Sequence, residues 1–270
     1  MLEQAKQEVR RRIPLGSGKV PAAELTRDIC ARAHIDRHTV RRAIRDLITA
    51  GWLRFTYEYG TSFVQVSFER PVRISPRIVL KPPHMHYASE PDEIVIDLAP
   101  GAAFGSGAHP TTALCLKALE RVMGGFFRND KRATALVGLD VGTGSGVLAV
   151  AQAKLGIGQV LGLDVDPCAI WEAAANVALN RLSDCITISA MPLDRVGGTY
   201  DMITANLALP TLTQIAPILC AKMARGAVLI VSGFKKEASA ALKDTLVGHG
   251  LTPVRQYFQQ QWGCLMLCLA

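Results

Sequence analysis

The spacing of apolar positions changes period along the chain. Leu2 to Ile13 has helical composition and a basic end at Arg10, Arg11 and Arg12. Pro14 to Pro21, with Gly16, Ser17 and Gly18 between, predicts a turn-rich break, and Ala22 to Ala33 a second helix. A third helix is predicted from about Arg37 to Ala50. There Val40, Ala43, Ile44, Leu47 and Ile48 fall at i, i+3, i+4, i+7 and i+8, which is one buried stripe. Arg37, Arg41, Arg42 and Arg45 take the opposite side, and Gly51 ends the helix. The period then drops to two: Trp52–Phe55 and Ser62–Val66, joined through Glu58-Tyr59-Gly60-Thr61, predict a hairpin. Pro71, Pro76, Pro82, Pro83 and Pro91 preclude a long helix between Glu69 and Glu93, which reads as a linker.

From about Ala135 the pattern becomes strand, glycine turn, helix, repeated. An apolar strand runs from Ala135 to Gly142, a turn follows through Gly146, and Val147 to Leu155 opens a helix. Gln159–Leu163 is a second strand ending in Asp164-Val165-Asp166, and Pro167 starts the next helix. Further strands are predicted at Ile186–Ser189, Asp201–Ala205 and Ala227–Val231, then a helix at Ser239–Gly248 and a strand pair at Pro253–Phe258 and Gly263–Leu269. Alternating β and α elements with short turns predict an α/β fold with a doubly wound, Rossmann-like parallel sheet. The expected organisation is a small N-terminal domain at 1–68, a Pro-rich linker at 69–93 and a larger domain at 94–270.

Composition narrows the class. Hydrophobic residues form 49% and charged residues 20% of the 270, a globular balance that excludes a disordered or fibrous chain. No apolar run approaches the ~18 residues of a membrane span. Charge at the start, Met1-Leu2-Glu3-Gln4, leads us to expect a cytoplasmic protein. Seven scattered cysteines without a C-x-x-C pair argue against a disulfide framework or cysteine zinc site. His84 and His86 have no third ligand at useful spacing and read as exposed and non-ligating, so no metal is expected. The net charge of +7 is uneven: residues 1–81 hold 16 Lys and Arg against 8 Asp and Glu, while the rest hold 14 against 15. The basic excess of the first third points to a nucleic-acid partner there or to a solvated basic surface.

The candidate chemistry lies at the carboxyl ends of the first strands of the larger domain, where such sheets bind ligands. Gly142-Thr143-Gly144-Ser145-Gly146 lets backbone approach a ligand, and Asp164, at the end of the second strand, can accept ribose hydroxyls. The turn alone does not separate a nicotinamide dinucleotide from S-adenosylmethionine. Two features favour the latter: an acid, Asp140, stands two residues before the first glycine, and the third glycine of the dinucleotide pattern is absent, its place taken by Val147. Upstream, Pro100 to Thr112 is a glycine-rich loop leading into a helix, with Pro110 suited to its start and the threonines to its cap. Such an N-terminus can hold the carboxylate of a bound amino-acid moiety. Downstream, Asn206 puts an amide at the end of the fourth strand.

Two resemblances follow. Three helices and a hairpin make a winged helix. Leu15, Pro21, Glu24-Leu25, Thr39-Val40-Arg41, Leu47, Gly51-Trp52-Leu53, Gly60-Thr61 and Phe63-Val64 resemble the GntR-type winged-helix family over about Lys6 to Val66. That resemblance implies a third helix in the DNA major groove, with His38, Thr39, Arg41, Arg42 and Arg45 as contacts; docking to protein or dimerisation is the other use of such modules. From about Ile94 onward, Leu98–Thr112, Asp140–Gly146, Gly162–Pro167 and Ala205–Leu209 resemble the PrmA methyltransferases, which modify ribosomal protein L-eleven. The resemblance implies that Phe104, Gly105, Thr112, Asp140, Gly142, Gly144, Asp164 and Asn206 contact S-adenosylmethionine, with Asn206 also the catalytic residue. The expected acceptor is a protein amine, of a lysine or an N-terminus, with a ribosomal protein as one candidate substrate; the cofactor chemistry carries over from the resemblance and the substrate does not. Ser106 and Leu207-Ala208 depart from the family pattern, and a winged helix stands where that family carries a small α+β substrate-recognition domain. DNA, RNA or small-molecule methylation, and a cofactor-sensing regulator, are the alternative functions.

Overall fold

The buried stripe of the third predicted helix is the centre of the N-terminal unit. In a computed structural model, which describes residues 1–13, 19–101, 103–105, 107, 109–125, 127 and 135–269, this unit comprises α1 (Leu2–Arg12), β1 (Val20–Pro21), α2 (Ala22–Ala33), α3 (Arg37–Thr49), β2 (Leu53–Glu58) and β3 (Thr61–Val66). Residues 14–18 of the predicted break at Pro14–Pro21, and loop residues Ala102, Ser106 and Ala108, lie outside the described residues. Val40, Ala43 and Leu47 of α3 pack with Ala5, Val9, Leu25, Ile29 and Val64 into one apolar cluster. Asp36 caps α3, its carboxylate accepting from the Thr39 backbone N–H at 2.9 Å and the Thr39 hydroxyl at 2.6 Å. Tyr59 and Gly60, both at positive φ (47° and 77°), make the two-residue turn between β2 and β3. β3 pairs antiparallel with both β1 and β2, giving the order β1-β3-β2.

The segment expected as a linker is partly built into sheet. β4 (Val72–Arg73), β5 (Ile78–Lys81) and β6 (Ile94–Asp97) form a small sheet, with β5 antiparallel to β4 and parallel to β6. Ile78 and Leu80 are buried in the same apolar cluster as the following helix, α4 (Pro110–Gly125). Strands of two and four residues are too short to show a period, and proline tolerates extended backbone while forbidding helix.

The larger unit continues with β7 (Val137–Val141), α5 (Val147–Lys154), β8 (Gln159–Leu163), α6 (Pro167–Leu179), β9 (Ile186–Ser189), β10 (Tyr200–Asn206), α7 (Leu209–Ala221), β11 (Met223–Lys235), α8 (Ser239–Gly248), β12 (Leu251–Gln259) and β13 (Trp262–Leu269). Its sheet has the order β12-β13-β11-β10-β7-β8-β9. β7 to β11 are mutually parallel, but β13 runs antiparallel to β11 and to β12. The sheet is therefore mixed, which corrects the all-parallel expectation. Only Gln260 and Gln261 separate β12 from β13, and so short a connection joins antiparallel strands alone.

Period-two alternation sorts the sheet's side chains into two cores. Met202, Val228, Ile230 and Met266 pack with α4 and α5 on one face. Ile203, Leu229, Val231, Leu265 and Leu267 pack with α7 and α8 on the other. The strand order reverses between β7 and β10, and a crevice opens at their carboxyl ends.

Candidate active site

The glycine turn after β7 is held by its neighbours on every side. The Gly142 and Thr143 N–H groups donate to the Leu163 carbonyl, both at 2.8 Å, and Gly144 N–H donates to Asp164 Oδ2 at 2.9 Å. Gly142 and Gly144 have φ of 71° and 55°. A Cβ at Gly142 would strike the Leu207 side chain, and one at Gly144 the Phe104 carbonyl. Only glycine meets both the backbone and the space requirement there.

Asp164 spends three of its acceptor positions on backbone: Oδ1 accepts from Val165 N at 2.8 Å and Asp166 N at 3.1 Å, and Oδ2 from Gly144. Oδ2 keeps acceptor capacity for a ligand hydroxyl. The upstream loop crosses the turn, with the Ser145 N–H donating to the Phe104 carbonyl at 2.8 Å and the Ser145 hydroxyl to the Gly105 carbonyl at 3.0 Å. These elements surround a cavity of about 670 Å³, a size suited to a nucleoside-sized ligand.

Phe104, Gly142, Gly144, Asp164 and Asn206 line the cavity. Gly105 and Thr112 stand one layer back. Thr112 is fully buried, and its hydroxyl accepts from Asn206 Nδ2 at 3.4 Å, which leaves Asn206 Oδ1 as the acceptor for a ligand. Asp140, grouped by the sequence with the cofactor contacts, does not reach the cavity. It is fully buried and accepts from the hydroxyls of Thr143 (2.8 Å) and Thr204 (2.6 Å), so it fixes the turn from beneath. Burial raises its pKa to about 6, against the opposing pull of those two hydroxyls.

Sequence reading missed a wall of the cavity. His109 sits between Phe104 (ring centroids 5.1 Å apart) and Trp262 (4.6 Å, edge-on), and Lys235 Nζ lies 3.9 Å from the Trp262 ring centroid. The Thr111 N–H donates to His109 Nδ1 at 3.3 Å. Burial first, then the Lys235 charge, lowers the His109 pKa, which favours the neutral ring. His109 and Trp262 are 153 positions apart in the sequence, and no local spacing joins them.

Also missed was a polar ladder along α6 and its C-cap, Asn180. Glu172 Oε2 accepts from Ala103 N (2.9 Å), Asn176 Oδ1 from Ala99 N (3.0 Å) and Asn180 Oδ1 from Asp97 N (3.0 Å). Asn176 Nδ2 also donates to the Ser145 carbonyl at 2.8 Å. The signal was present: three polar residues at intervals of four in an otherwise apolar run, which puts them on one helix face.

The remaining predicted contacts lie elsewhere. His38, Arg41, Arg42 and Arg45 are exposed on α3, whereas Thr39 is half-buried with its hydroxyl given to Asp36. His84 and His86 are exposed. Among the described residues, no three His, Cys, Asp or Glu side chains gather as a metal site, and no helix is long and apolar enough to cross a membrane.

Comparison with known proteins gives the same region a family. The model described as ribosomal protein L11 methyltransferase (PrmA) matches residues 64–268. A ribosomal protein L11 methyltransferase of Geotalea daltonii is 38% identical over 202 residues, covering 74% of this chain and 64% of that protein. One of Geobacter sulfurreducens is 41% identical over 196 residues, covering 73% and 62%. The chain thus spans less than two thirds of the length of these curated relatives. The crystal structure of a ribosomal protein L11 methylase from Lactobacillus delbrueckii subsp. bulgaricus superposes with a TM-score of 0.64 and 28% identity, over 73% of this chain and 97% of that one. With a family match across most of its length and relatives near 40% identity, the chain belongs to the PrmA family.

Proposed function

We propose that this protein transfers a methyl group from S-adenosylmethionine to an amine of a protein substrate, a ribosomal protein being the first candidate. The observation that carries this reading is the convergence of Asp164, the glycine turn and Asn206 on one cavity in a PrmA-family chain. The residues present suit the cofactor. Asp164 Oδ2 can accept a ribose hydroxyl, Leu163, Val165 and Leu193 offer apolar walls for a base, and the buried start of α4 suits an amino-acid carboxylate.

When bound, S-adenosylmethionine supplies an electrophilic methyl on a sulfonium centre. The chain's own part is to present a neutral nitrogen to it in line. A lysine of pKa ~10.4 must first lose a proton. Desolvation between Phe104, His109 and Trp262 favours the neutral amine. Asn206 Oδ1 accepts one N–H of that amine and so sets the direction of its lone pair, with Thr112 fixing the amide. Phe104, 52% exposed at the mouth, limits the entry of water.

The N-terminal unit, about residues 1–68, reads as a winged helix of GntR type. Its order of helix, strand, two helices and hairpin, with the three-stranded sheet β1-β3-β2, supports this. The exposed His38, Arg41, Arg42 and Arg45 of α3, with Thr39 at its capped start, favour nucleic acid as its partner. The proposed division is thus a reader at 1–68 and a catalytic unit from 94 onward, with 69–93 between them contributing strands to the latter.

The test is methyl transfer from labelled S-adenosylmethionine into host lysate, followed by separate protease and nuclease digestion. Label lost to protease and kept after nuclease is the expected result. Label lost to nuclease overturns the protein acceptor. Asn206→Ala should lower turnover by roughly 100-fold with cofactor affinity nearly unchanged. A collapse of affinity instead would remove Asn206 from its positioning role.

A further inference from the structure

A second cavity, of about 400 Å³, lies between the N-terminal unit and the small β4-β5-β6 sheet. Its most unusual feature is its charge. The Arg10 guanidinium carbon is 4.0 Å, and that of Arg70 3.6 Å, from the centroid of the Trp52 ring. Both arginines line the cavity, and neither has a carboxylate partner among the described residues.

The neighbouring cations behave differently. Arg12 is paired with Glu8 and Asp28, and Arg73, on the same cavity, with Glu93. Arg70 Nη1 donates to the carbonyl of Pro71 at 3.2 Å, but its Nε is buried with no hydrogen-bond partner. A buried guanidinium N–H without an acceptor is costly, and so is a second cation on the same ring. Burial first, and the Arg10 charge second, pull the Arg70 pKa below its ordinary value, as expected of a charge still lacking its counter-ion. Stacking on Trp52 offsets part of that cost without supplying an acceptor.

The rest of the lining sets the shape of the missing group. Ile13, Leu53, Val66, Val72 and Val79 make the remaining walls largely aliphatic. An inorganic anion would satisfy the guanidinium donors and leave those walls bare. A carboxylate with a short apolar body satisfies both, because the planar fork of Arg matches a carboxylate and aliphatic walls suit a hydrocarbon tail.

We infer that this cavity is a binding site for a small organic carboxylate, held by Arg70 beside Trp52 and attracted by the charge of Arg10. Arg10 belongs to α1 and Arg70 to the segment entering β4, so a bound carboxylate ties the N-terminal unit to the small sheet. The site is separate from the one lined by Asp164 and Asn206, and the inference does not rest on the proposed methyl transfer.

Isothermal titration of the full chain with sodium hexanoate tests it, with hexanamide and inorganic phosphate as controls. Hexanoate should bind at one site, hexanamide far more weakly because it lacks the charge, and phosphate more weakly because it lacks the body. Arg70→Met should weaken hexanoate by roughly tenfold or more, since it removes charge-assisted hydrogen bonds, and Arg10→Met should weaken it by roughly threefold or more, since it removes a neighbouring cation. Arg10 is exposed on α1, and methionine keeps an apolar stem against Trp52, so Arg10→Met reports on the site even if Arg70→Met fails to fold. Arg70→Lys should also weaken binding, because lysine keeps the charge and loses the fork. Three results would overturn the proposal: no hexanoate binding to the unaltered chain, equal binding by the Arg10 variant, or hexanamide binding as tightly as hexanoate. Phosphate binding as tightly as hexanoate would overturn the carboxylate assignment.

Discussion

Asp140 lies at the base of the candidate site with no exposed surface and two hydroxyls for partners. The network extends further, since Gln152 Nε2 donates to Thr204 Oγ1 at 2.8 Å and so orients the hydroxyl that serves Asp140. Burial outweighs these hydrogen bonds and raises the acid to about 6. An acid whose folded pKa exceeds its unfolded value of ~3.9 holds its proton more tightly in the folded state. Its contribution to stability is complete below that lower value and is lost as pH rises through about 6. Asp140→Asn cannot titrate, so the stability of the unaltered chain minus that of the variant should fall by about 2–3 kcal/mol between pH 4 and pH 8. Urea unfolding at both pH values measures this, and a difference that stays constant would show that Asp140 is not held protonated. The sequence exposed the acid through its place before the glycine turn. It did not expose the depth of burial, which depends on Thr204, a residue 64 positions away.

At the scale of elements, α6 links the upstream loop to the cofactor turn. Asn176 is 2% exposed and satisfies two backbone groups at once, Ala99 N–H and the Ser145 carbonyl. Asn176→Ala would leave both without a partner in a buried place, which destabilises by about 2–4 kcal/mol. The loop carrying Phe104 would lose its anchor as well, so cofactor affinity should fall together with the melting temperature. Melting lowered with affinity intact would mean that the ladder supports the fold alone. Elements that carry their own signal were legible in the sequence. α2 is found at Ala22–Ala33 as predicted, and the hairpin turn lies at Tyr59-Gly60 within the predicted connection. β5 was not legible, because four residues flanked by prolines look like any extended linker and only their burial against α4 makes them a strand. The Asn176 ladder and the His109–Trp262 wall failed for another reason: each is a tertiary pairing, and periodicity reports only which face of an element is apolar.

At the scale of the whole molecule, charge and family likeness divide the chain at nearly the same place. Residues 1–81 carry a net charge of +8 and the remainder −1, while the family match begins at residue 64. The basic excess therefore belongs mostly to the part outside the likeness, and on α3 it faces solvent rather than acidic partners: Arg41, Arg42 and Arg45 form no ion pair among the described residues. If α3 reads nucleic acid, binding should release about one counter-ion for each phosphate neutralised. Replacing Arg41, Arg42 and Arg45 together by alanine should then make the slope of log affinity against log salt shallower by about 3 on duplex DNA. The fold should be spared, because all three side chains are exposed and surface changes of this kind stay within about 0.5 kcal/mol each. Fluorescence anisotropy across a salt series measures the slope. DNA binding that is weak and equally salt-dependent with and without these arginines would remove nucleic acid as the partner of α3.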